Sequence, residues 1–188
     1  MRSVRYAMSV SLDGLIQSKK GDISWAAPDE ELHRHFNVLE ASTDINLYGR
    51  KMYEGMSAFW PTADASPSAS PAEKEYAEIW RNKPKIVFSR SLKEARWNTR
   101  IVRDDISGVV NRLKEEEGNC LSVSGAEIAA TFTRLSLIDE YWLYIIPVLL
   151  GGGKPMFLPG QGSIPLKLLE TRTFGSGVLL LKYLRQPA

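Results

Sequence analysis

The sequence has little of several features that mark large classes of protein. Its single cysteine, Cys120, cannot form an internal disulfide, and the apolar residues around it indicate a buried structural thiol. The net charge of +2, from 24 basic and 22 acidic residues, gives no support to a nucleic-acid-binding surface. The longest apolar stretch, 141–150, is too short to cross a membrane as a helix, and no signal peptide is recognisable. We therefore expect a cytoplasmic protein with neither nucleic acid nor membrane as a partner.

Familiar motifs of catalysis and nucleotide binding are absent as well. The chain has no G-x-G-x-x-G after its first strand, no P-loop and no G-x-S-x-G, which argues against a Rossmann fingerprint, a P-loop nucleotidase and a serine hydrolase. Its two histidines, His33 and His35, stand two apart on a predicted helix and so do not share a face. Without a cysteine cluster beside them, we expect no metal site.

The pattern that the sequence does contain is that of one α/β domain. A composition of 44% hydrophobic and 24% charged residues is ordinary for a globular protein, and we assign residues 1–188 to a single domain. Strands alternate with helices along the chain, which predicts a mostly parallel sheet. The last two strands are joined by Gly175-Ser176-Gly177, which predicts an antiparallel hairpin at one edge.

Local signals predict the individual elements. Apolar residues at spacings of three and four predict a first helix that begins at Pro28, and Ser70 followed by Pro71 is typical of another helix start. We expect loops at 17–27 and at 61–71, the second rich in proline, serine and alanine. Further helices are predicted after Gly49, over 105–117 and over 126–135. The predicted strands are 5–11, 44–48, 85–89, 99–102, 121–124, 140–149, 166–174 and 178–185.

Three predicted strands end in glycine or serine, at 48–51, 88–91 and 123–127. Glycine lets a ligand approach the backbone, and the unpaired N–H groups of a helix start suit a phosphate. Ligands of open α/β sheets gather at the carboxyl ends of the strands. The alternative for each glycine is that it only turns the chain.

Two arginines, Arg50 and Arg90, stand at two of these strand ends. A pair of arginines can fork onto a phosphate, such as the 2′-phosphate that distinguishes NADPH from NADH. The alternative for each arginine is a solvated surface charge.

Three carboxylates and one tryptophan are candidates for the reacting centre. Asp13, Glu30 and Glu31 could donate a proton, although Asp13 also fits a turn and the glutamates fit the first turn of a helix. Trp25, in the polar loop before that helix, could be a platform for a flat ring. Its alternative is a tryptophan packed on the domain.

The chain resembles the RibD C-terminal domain family in motifs that keep the family's order, at 11–16 (SLDGLI), 124–126 (SGA), 139–140 (DE) and 147–153 (PVLLGGG). The segment 49–54 is similar to the glycine-arginine helix start of dihydrofolate reductase. The resemblance implies a dihydrofolate reductase-like, three-layer α/β/α fold that binds NADPH. It also implies an oxidoreductase of the type that reduces a ribosylaminopyrimidine in riboflavin biosynthesis. A homodimer is expected because this family often pairs, with the apolar strand 141–150 and the following glycines as its surface.

The resemblance implies roles for particular residues. Gly49, Arg50, Lys51 and Met52 would line the adenosine half of NADPH, and Ser89 and Arg90 would approach its 2′-phosphate. The diphosphate would lie on Ser124, Gly125, Ala126, Glu127 and Ile128. Asp13, Gly14 and Trp25 would lie near the nicotinamide and the substrate ring. Apart from the resemblance, our own hypothesis places Glu31 or Asp13 on the proton route.

Departures from the family leave the substrate open. Ile23 stands where riboflavin reductases have a serine, and Ile145 stands about where dihydrofolate reductase has a threonine. No arginine is identified for the ribose phosphate of a substrate. We expect hydride transfer to an electron-poor C=N or C=O of a heterocycle or of a sugar-derived imine, with an aminopyrimidine or a pterin as the candidate substrate. The alternatives are a protein that binds NADPH without chemistry and a purely structural dimeric module.

Overall fold

The computed structural model describes residues 1–160 and 162–187. In chain order the strands are β1 Ser3–Ser11, β2 Leu15–Ser18, β3 Ile45–Gly49, β4 Lys85–Phe88, β5 Thr99–Val102, β6 Cys120–Ser124, β7 Glu140–Ile146, β8 Gly153–Pro155, β9 Leu166–Thr173 and β10 Leu179–Arg185. The α-helices are α1 Glu30–Ala41, α2 Arg50–Phe59, α3 Pro71–Asn82, α4 Ile106–Glu115 and α5 Ala126–Arg134.

The main sheet has the strand order β5-β4-β3-β6-β1-β7-β10-β9, and β2 pairs separately with β8. The neighbours from β5 to β7 are all parallel, whereas β10 is antiparallel to both β7 and β9. This arrangement confirms the predicted mostly parallel sheet with a C-terminal antiparallel hairpin. Strand β7 ends at Ile146, three residues before its predicted end, because Pro147 has no N–H to give to the ladder.

Helices cover both faces of the sheet, which confirms the three layers. Successive side chains of a strand point to opposite faces. On one face, Tyr6 of β1 lies in a core with Val110 of α4 and Phe132 of α5. On the other face, Tyr144 of β7 lies in a second core with Leu32 of α1.

Three boundaries differ from the predictions. Helix α1 begins at Glu30 rather than Pro28, because the Asp29 carboxylate accepts a hydrogen bond from the backbone N–H of Leu32 and caps the helix. The predicted loop at 17–27 contains the end of β2, whose partner β8 lies far along the chain. The first half of the predicted loop at 61–71 belongs to a 3₁₀ helix, Trp60–Ala65.

The segment at 61–71 is fastened to α3. The Arg81 guanidinium donates to the carbonyl of Pro61 at 3.0 Å and pairs with Asp64 at 2.8 Å. Ser70 caps α3 as predicted, and Glu73 completes a capping box with it. These contacts hold both ends of the proline- and serine-rich segment against the same helix.

Within the described residues, none of the helices has the length and apolar character needed to cross a membrane. The same residues contain no group of three or more His, Cys, Asp or Glu side chains arranged to hold a metal ion.

Candidate functional site

The carboxyl ends of β4, β3 and β6 meet at one edge of the sheet, because these strands are neighbours and parallel. A cleft of about 590 Å³ opens there, which is within the range of small-molecule sites. All three chain segments singled out from the sequence contribute to it. Of the predicted cofactor residues, Gly49, Arg50, Ser89, Arg90, Glu127 and Ile128 line the cleft.

Three helices begin at this cleft. Arg50 is the first residue of α2, Ile106 is the first residue of α4, and Glu127 is in the first turn of α5, and all three line the cleft. The backbone N–H groups of a first helical turn have no partner within the helix, and they carry the positive end of the helix dipole. The starts of α2 and α5 can therefore receive an anionic ligand, whereas the Asp105 carboxylate already accepts from the N–H of Gly108 at the start of α4.

Two glycines let α2 and α5 approach each other. A Cβ on Gly49 would lie 3.4 Å from Cβ of Ile128 in α5, and a Cβ on Gly125 would lie 3.4 Å from Cβ of Met52 in α2. Gly125 also has a φ of 106°, which L side chains rarely adopt. Each helix thus packs against the glycine that begins the other.

The remaining predicted cofactor residues, Lys51, Met52, Ser124, Gly125 and Ala126, lie beside the cleft rather than on its wall. Lys51 pairs with the Glu127 carboxylate at 3.3 Å, and Ala126 is buried. Lys154 of β8, which the sequence did not indicate, reaches the same carboxylate at 3.0 Å. Its hydrogen bond is the main cause that holds the pKa of Glu127 below its usual range.

Both predicted arginines, Arg50 and Arg90, form only exposed ion pairs. Arg50 pairs with Glu54 at 3.1 Å, and Arg90 pairs with Asp104 at 3.2 Å, but the Arg90 side chain remains 85% exposed. Exposed pairs of this kind contribute little and are readily exchanged. Both guanidinium groups can therefore turn to an anion in the cleft.

Arg103 is a third arginine of the cleft that the sequence analysis missed. Its guanidinium donates to the carbonyl oxygens of Arg90 at 3.0 Å and Leu92 at 3.1 Å. Its position directly after β5, at the same edge as Arg90, is the signal that could have identified it.

Asp13 follows β1 and fastens the loop after β7. Its carboxylate accepts from the Ser11 hydroxyl at 2.6 Å and from the backbone N–H groups of Leu150 at 3.2 Å and Gly151 at 2.8 Å. The Ser11 hydrogen bond is the main cause that lowers the pKa of Asp13. An ionised carboxylate held in this way suits an anchor better than an acid.

Glu31, in the first turn of α1, contacts the C-terminal hairpin. One carboxylate oxygen accepts from Arg172 at 3.0 Å, and the other accepts from the backbone N–H of Gly175 at 2.9 Å. Glu30 instead pairs with Arg34 on the surface of the same helix. Of the two glutamates, Glu31 is therefore the one that lies at the carboxyl edge of the sheet.

Trp25 packs on the domain and remains partly exposed. Its ring contacts the core that contains Leu32 and Tyr144, and its Nε1–H donates to the carbonyl of Asp22 at 3.2 Å. Gly14 is exposed in the turn after β1, with a φ of 84°. Asp13, Gly14, Trp25 and Glu31 thus lie around the ends of β1, β7 and β10, next along the edge from the cleft at β4, β3 and β6.

The two histidines take separate positions on α1, as their spacing predicted. His33 is buried, and its Nδ1 lies 3.2 Å from Oδ1 of Asn37. His35 lies 2.9 Å from the Tyr144 hydroxyl, and burial lowers its pKa.

A second cavity, of about 560 Å³, lies at the opposite ends of β3, β4 and β5. None of the predicted site residues lines it. Ligands of such sheets bind at the carboxyl ends, so we assign the candidate site to the first cleft.

Comparisons with known proteins support the fold and identify the family. The model of the RibD C-terminal domain family matches residues 2–180. Uncharacterized protein YyaP of Bacillus subtilis is 35% identical over 183 residues, which are 97% of this chain and 94% of YyaP. A candidate riboflavin biosynthesis protein from Shewanella sp. PV-4 has a similar crystal structure, with a TM-score of 0.78, 22% identity and complete coverage of both chains.

A bifunctional enzyme from Thermotoga maritima shares the fold as well. Its crystal structure is that of a diaminohydroxyphosphoribosylaminopyrimidine deaminase/5-amino-6-(5-phosphoribosylamino)uracil reductase, with a TM-score of 0.65 and 16% identity. The match covers 98% of this chain but 57% of the Thermotoga chain. At such identities the two crystal structures support the fold alone.

Proposed function

Because the chain belongs to the RibD C-terminal domain family, we propose that it is an NADPH-dependent reductase. Its substrate would be a nitrogen heterocycle of the phosphoribosylaminouracil type, reduced at a C=N or C=O bond. The observation that carries this proposal is the cleft where the ends of β4, β3 and β6 bring together two arginines and the starts of three helices. A pterin, as in dihydrofolate reductase, is the other heterocycle that such a site could accept.

The residues of the cleft suit the phosphates of NADPH. Arg50 and Arg90 can bind the 2′-phosphate, since arginine forks onto phosphate oxygens. The first turn of α5, from Gly125 to Ile128, can hold the diphosphate through its backbone N–H groups. When bound, NADPH supplies the hydride, and the chain supplies placement and a proton route.

The substrate would lie next to the cleft, at the ends of β1 and β7. Trp25 is partly exposed there and can stack on a flat ring, with Gly14 leaving room for the ring to approach. Glu31 is our candidate for the proton route because its carboxylate lies at this edge and is about half exposed. Asp13 would act by holding the loop after β7, since its lowered pKa keeps it ionised.

One observation favours a second function, a protein that binds NADPH without turnover. Both oxygens of Glu31 already accept hydrogen bonds, from Arg172 and from the N–H of Gly175. The same is true of Asp13. A proton donor would have to give up one of these bonds or act through a water molecule.

We also propose a homodimer, with a different contact strand from the one expected. Both edges of β7 are paired, to β1 and β10, so that strand cannot add to a second sheet. Strand β9 is the edge strand on the side of β7, and its Leu166, Leu168 and Leu169 are 40–51% exposed. Exposed apolar side chains on an edge strand favour pairing with another chain.

Calorimetric titration with NADPH and NADH tests the proposed function. We expect saturable binding that is tighter for NADPH, and loss of one charged hydrogen bond in Arg50→Ala or Arg90→Ala should weaken it roughly tenfold to a hundredfold. Arg100→Ala, on the same sheet but at the opposite end of β5, is the matched control and should bind as the wild type does. Absence of binding to either nucleotide would refute the reductase and the silent NADPH-binding protein together.

Turnover separates the two candidate functions. Consumption of NADPH with an aminopyrimidine or pterin would support the reductase, and Glu31→Gln should slow it while leaving NADPH affinity nearly unchanged. Tight binding without turnover on any of these heterocycles would favour the silent protein.

A further inference from the structure

The turn after β4, residues 89–92, is fixed by residues after β5. Arg103 donates one hydrogen bond to the carbonyl of Arg90 and one to the carbonyl of Leu92, so a single guanidinium spans the turn. The planar fork of arginine holds two acceptors in a fixed geometry, which lysine cannot do.

Ser89 fixes the same turn from within. Its backbone N–H donates to the carbonyl of Val102 at 3.0 Å, and its Oγ accepts from the backbone N–H groups of Ser91 at 3.3 Å and Leu92 at 3.0 Å. The backbone of Arg90 is thus held from both sides. The direction in which the Arg90 side chain leaves the turn is set by these contacts.

Asp104, the residue after Arg103, is the counter-ion of Arg90. The two side chains are 3.2 Å apart and are 75% and 85% exposed, and both residues line the cleft. A phosphate that binds Arg90 must displace this carboxylate and tolerate its negative charge. A ribose hydroxyl, by contrast, could donate a hydrogen bond to it.

We propose that Arg103 and Asp104 set the preference between the 2′-phosphate of NADPH and the 2′-hydroxyl of NADH. This inference rests on the proposed function. Arg103 is a positioning residue that presents Arg90 to the phosphate, whereas Asp104 lowers the affinity for the phosphate and supports binding of the hydroxyl. With Asp104 present, the protein therefore prefers NADPH over NADH less strongly than it would with its arginines alone. It accepts NADH as a second cofactor.

The expected effects are modest because the pair is exposed. Asp104→Asn removes a charge whose interaction at the surface is small, so the dissociation constant of NADPH should fall roughly two- to fivefold. That of NADH should stay the same or rise. Arg103→Lys keeps the charge but loses the fork, and NADPH affinity should fall roughly fivefold while NADH affinity is unchanged.

Titrations of the full chain with NADPH, NADH and adenosine 2′-monophosphate test the inference. The matched controls are Glu170→Gln, which removes a half-exposed carboxylate that pairs with Lys182 on the remote hairpin, and Arg100→Lys, at the other end of β5. The inference is supported if the ratio of NADPH affinity to NADH affinity rises in Asp104→Asn and falls in Arg103→Lys. The affinity for adenosine 2′-monophosphate should change in the same direction as the affinity for NADPH. A ratio unchanged in both variants overturns the inference, as does an equal loss of both dinucleotides accompanied by a lower melting temperature. Wild-type protein that binds neither dinucleotide would instead refute the proposed function itself.

Discussion

Lys85 is a buried cation whose titration should be visible in the stability of the protein. Its side chain is 2% exposed, and its Nζ donates to the carbonyl of Lys83 at 2.7 Å and lies 4.3 Å from the centre of the Trp80 ring. Burial lowers the pKa of the Lys85 ammonium from its usual 10.5 to about 8. The folded protein therefore releases this proton at a lower pH than the unfolded chain does.

The sign of the effect follows from proton binding. Between pH 8 and 10.5 the unfolded chain keeps the Lys85 proton and the folded protein loses it, so the free energy of unfolding rises with pH. The slope is at most about 1.4 kcal/mol per pH unit, which amounts to about 2 kcal/mol up to about pH 9.5. Above about pH 10 the buried tyrosines oppose this gain, because burial raises the pKa of Tyr6 and Tyr144 and the unfolded tyrosines ionise first.

Urea unfolding between about pH 7.5 and about pH 9.5 measures this slope. We expect Lys85→Met to lack the rise seen in the wild type, because the titrating group is gone. Lys167→Met, on the exposed strand β9, should keep it. Identical slopes in the wild type and Lys85→Met would show that Lys85 keeps its proton throughout this range and that the reasoning is wrong.

Two further predictions concern backbone geometry and a loop anchor. Gly125→Ala should lower the free energy of unfolding by about 1–3 kcal/mol, because Gly125 has a positive φ and lies close to Met52. Gly55→Ala should raise the free energy of unfolding by about 0.5–1 kcal/mol, because Gly55 lies in the middle of α2 with open space around it. Thermal unfolding checks both, and a Gly125→Ala protein as stable as the wild type would contradict the close-approach argument. The backbone N–H groups of Leu150 and Gly151 donate hydrogen bonds to the ionised Asp13 carboxylate. Asp13→Asn weakens these bonds and should therefore speed hydrogen exchange at both N–H groups. Unchanged exchange there would show that Asp13 does not hold the loop.

The sequence predicted those parts of the fold that depend on neighbouring residues. Ser70 and Pro71 begin α3, and the turn at 175–177 joins β9 to β10, because capping and turn formation involve groups within a few positions of one another. The glycines and arginines at the strand ends were also recognisable, since parallel strands place their carboxyl ends at one edge.

Pairings between distant segments were not predictable in the same way. The end of β2 lies within the predicted loop at 17–27, because the partner strand β8 that makes it a strand lies more than a hundred residues away and is three residues long. Asp139 belongs to the family-like motif at 139–140, but it accepts hydrogen bonds from the N–H of Val4 and from Lys114, at the edge away from the cleft. A residue of a family motif, such as Asp139, can thus have a structural role rather than a role in the site.

Most helices and strands, their order and the residues at their ends follow from local sequence patterns, although β2 and β8 do not. Which of those end residues meet depends on the tertiary structure. Arg103 reaches the turn after β4 because β5 lies beside β4, and Lys154 reaches Glu127 because β8 crosses near the start of α5. Such contacts depend on strand order and register across the whole sheet, and the free energy that selects these comes from burying both cores together rather than from any local pattern.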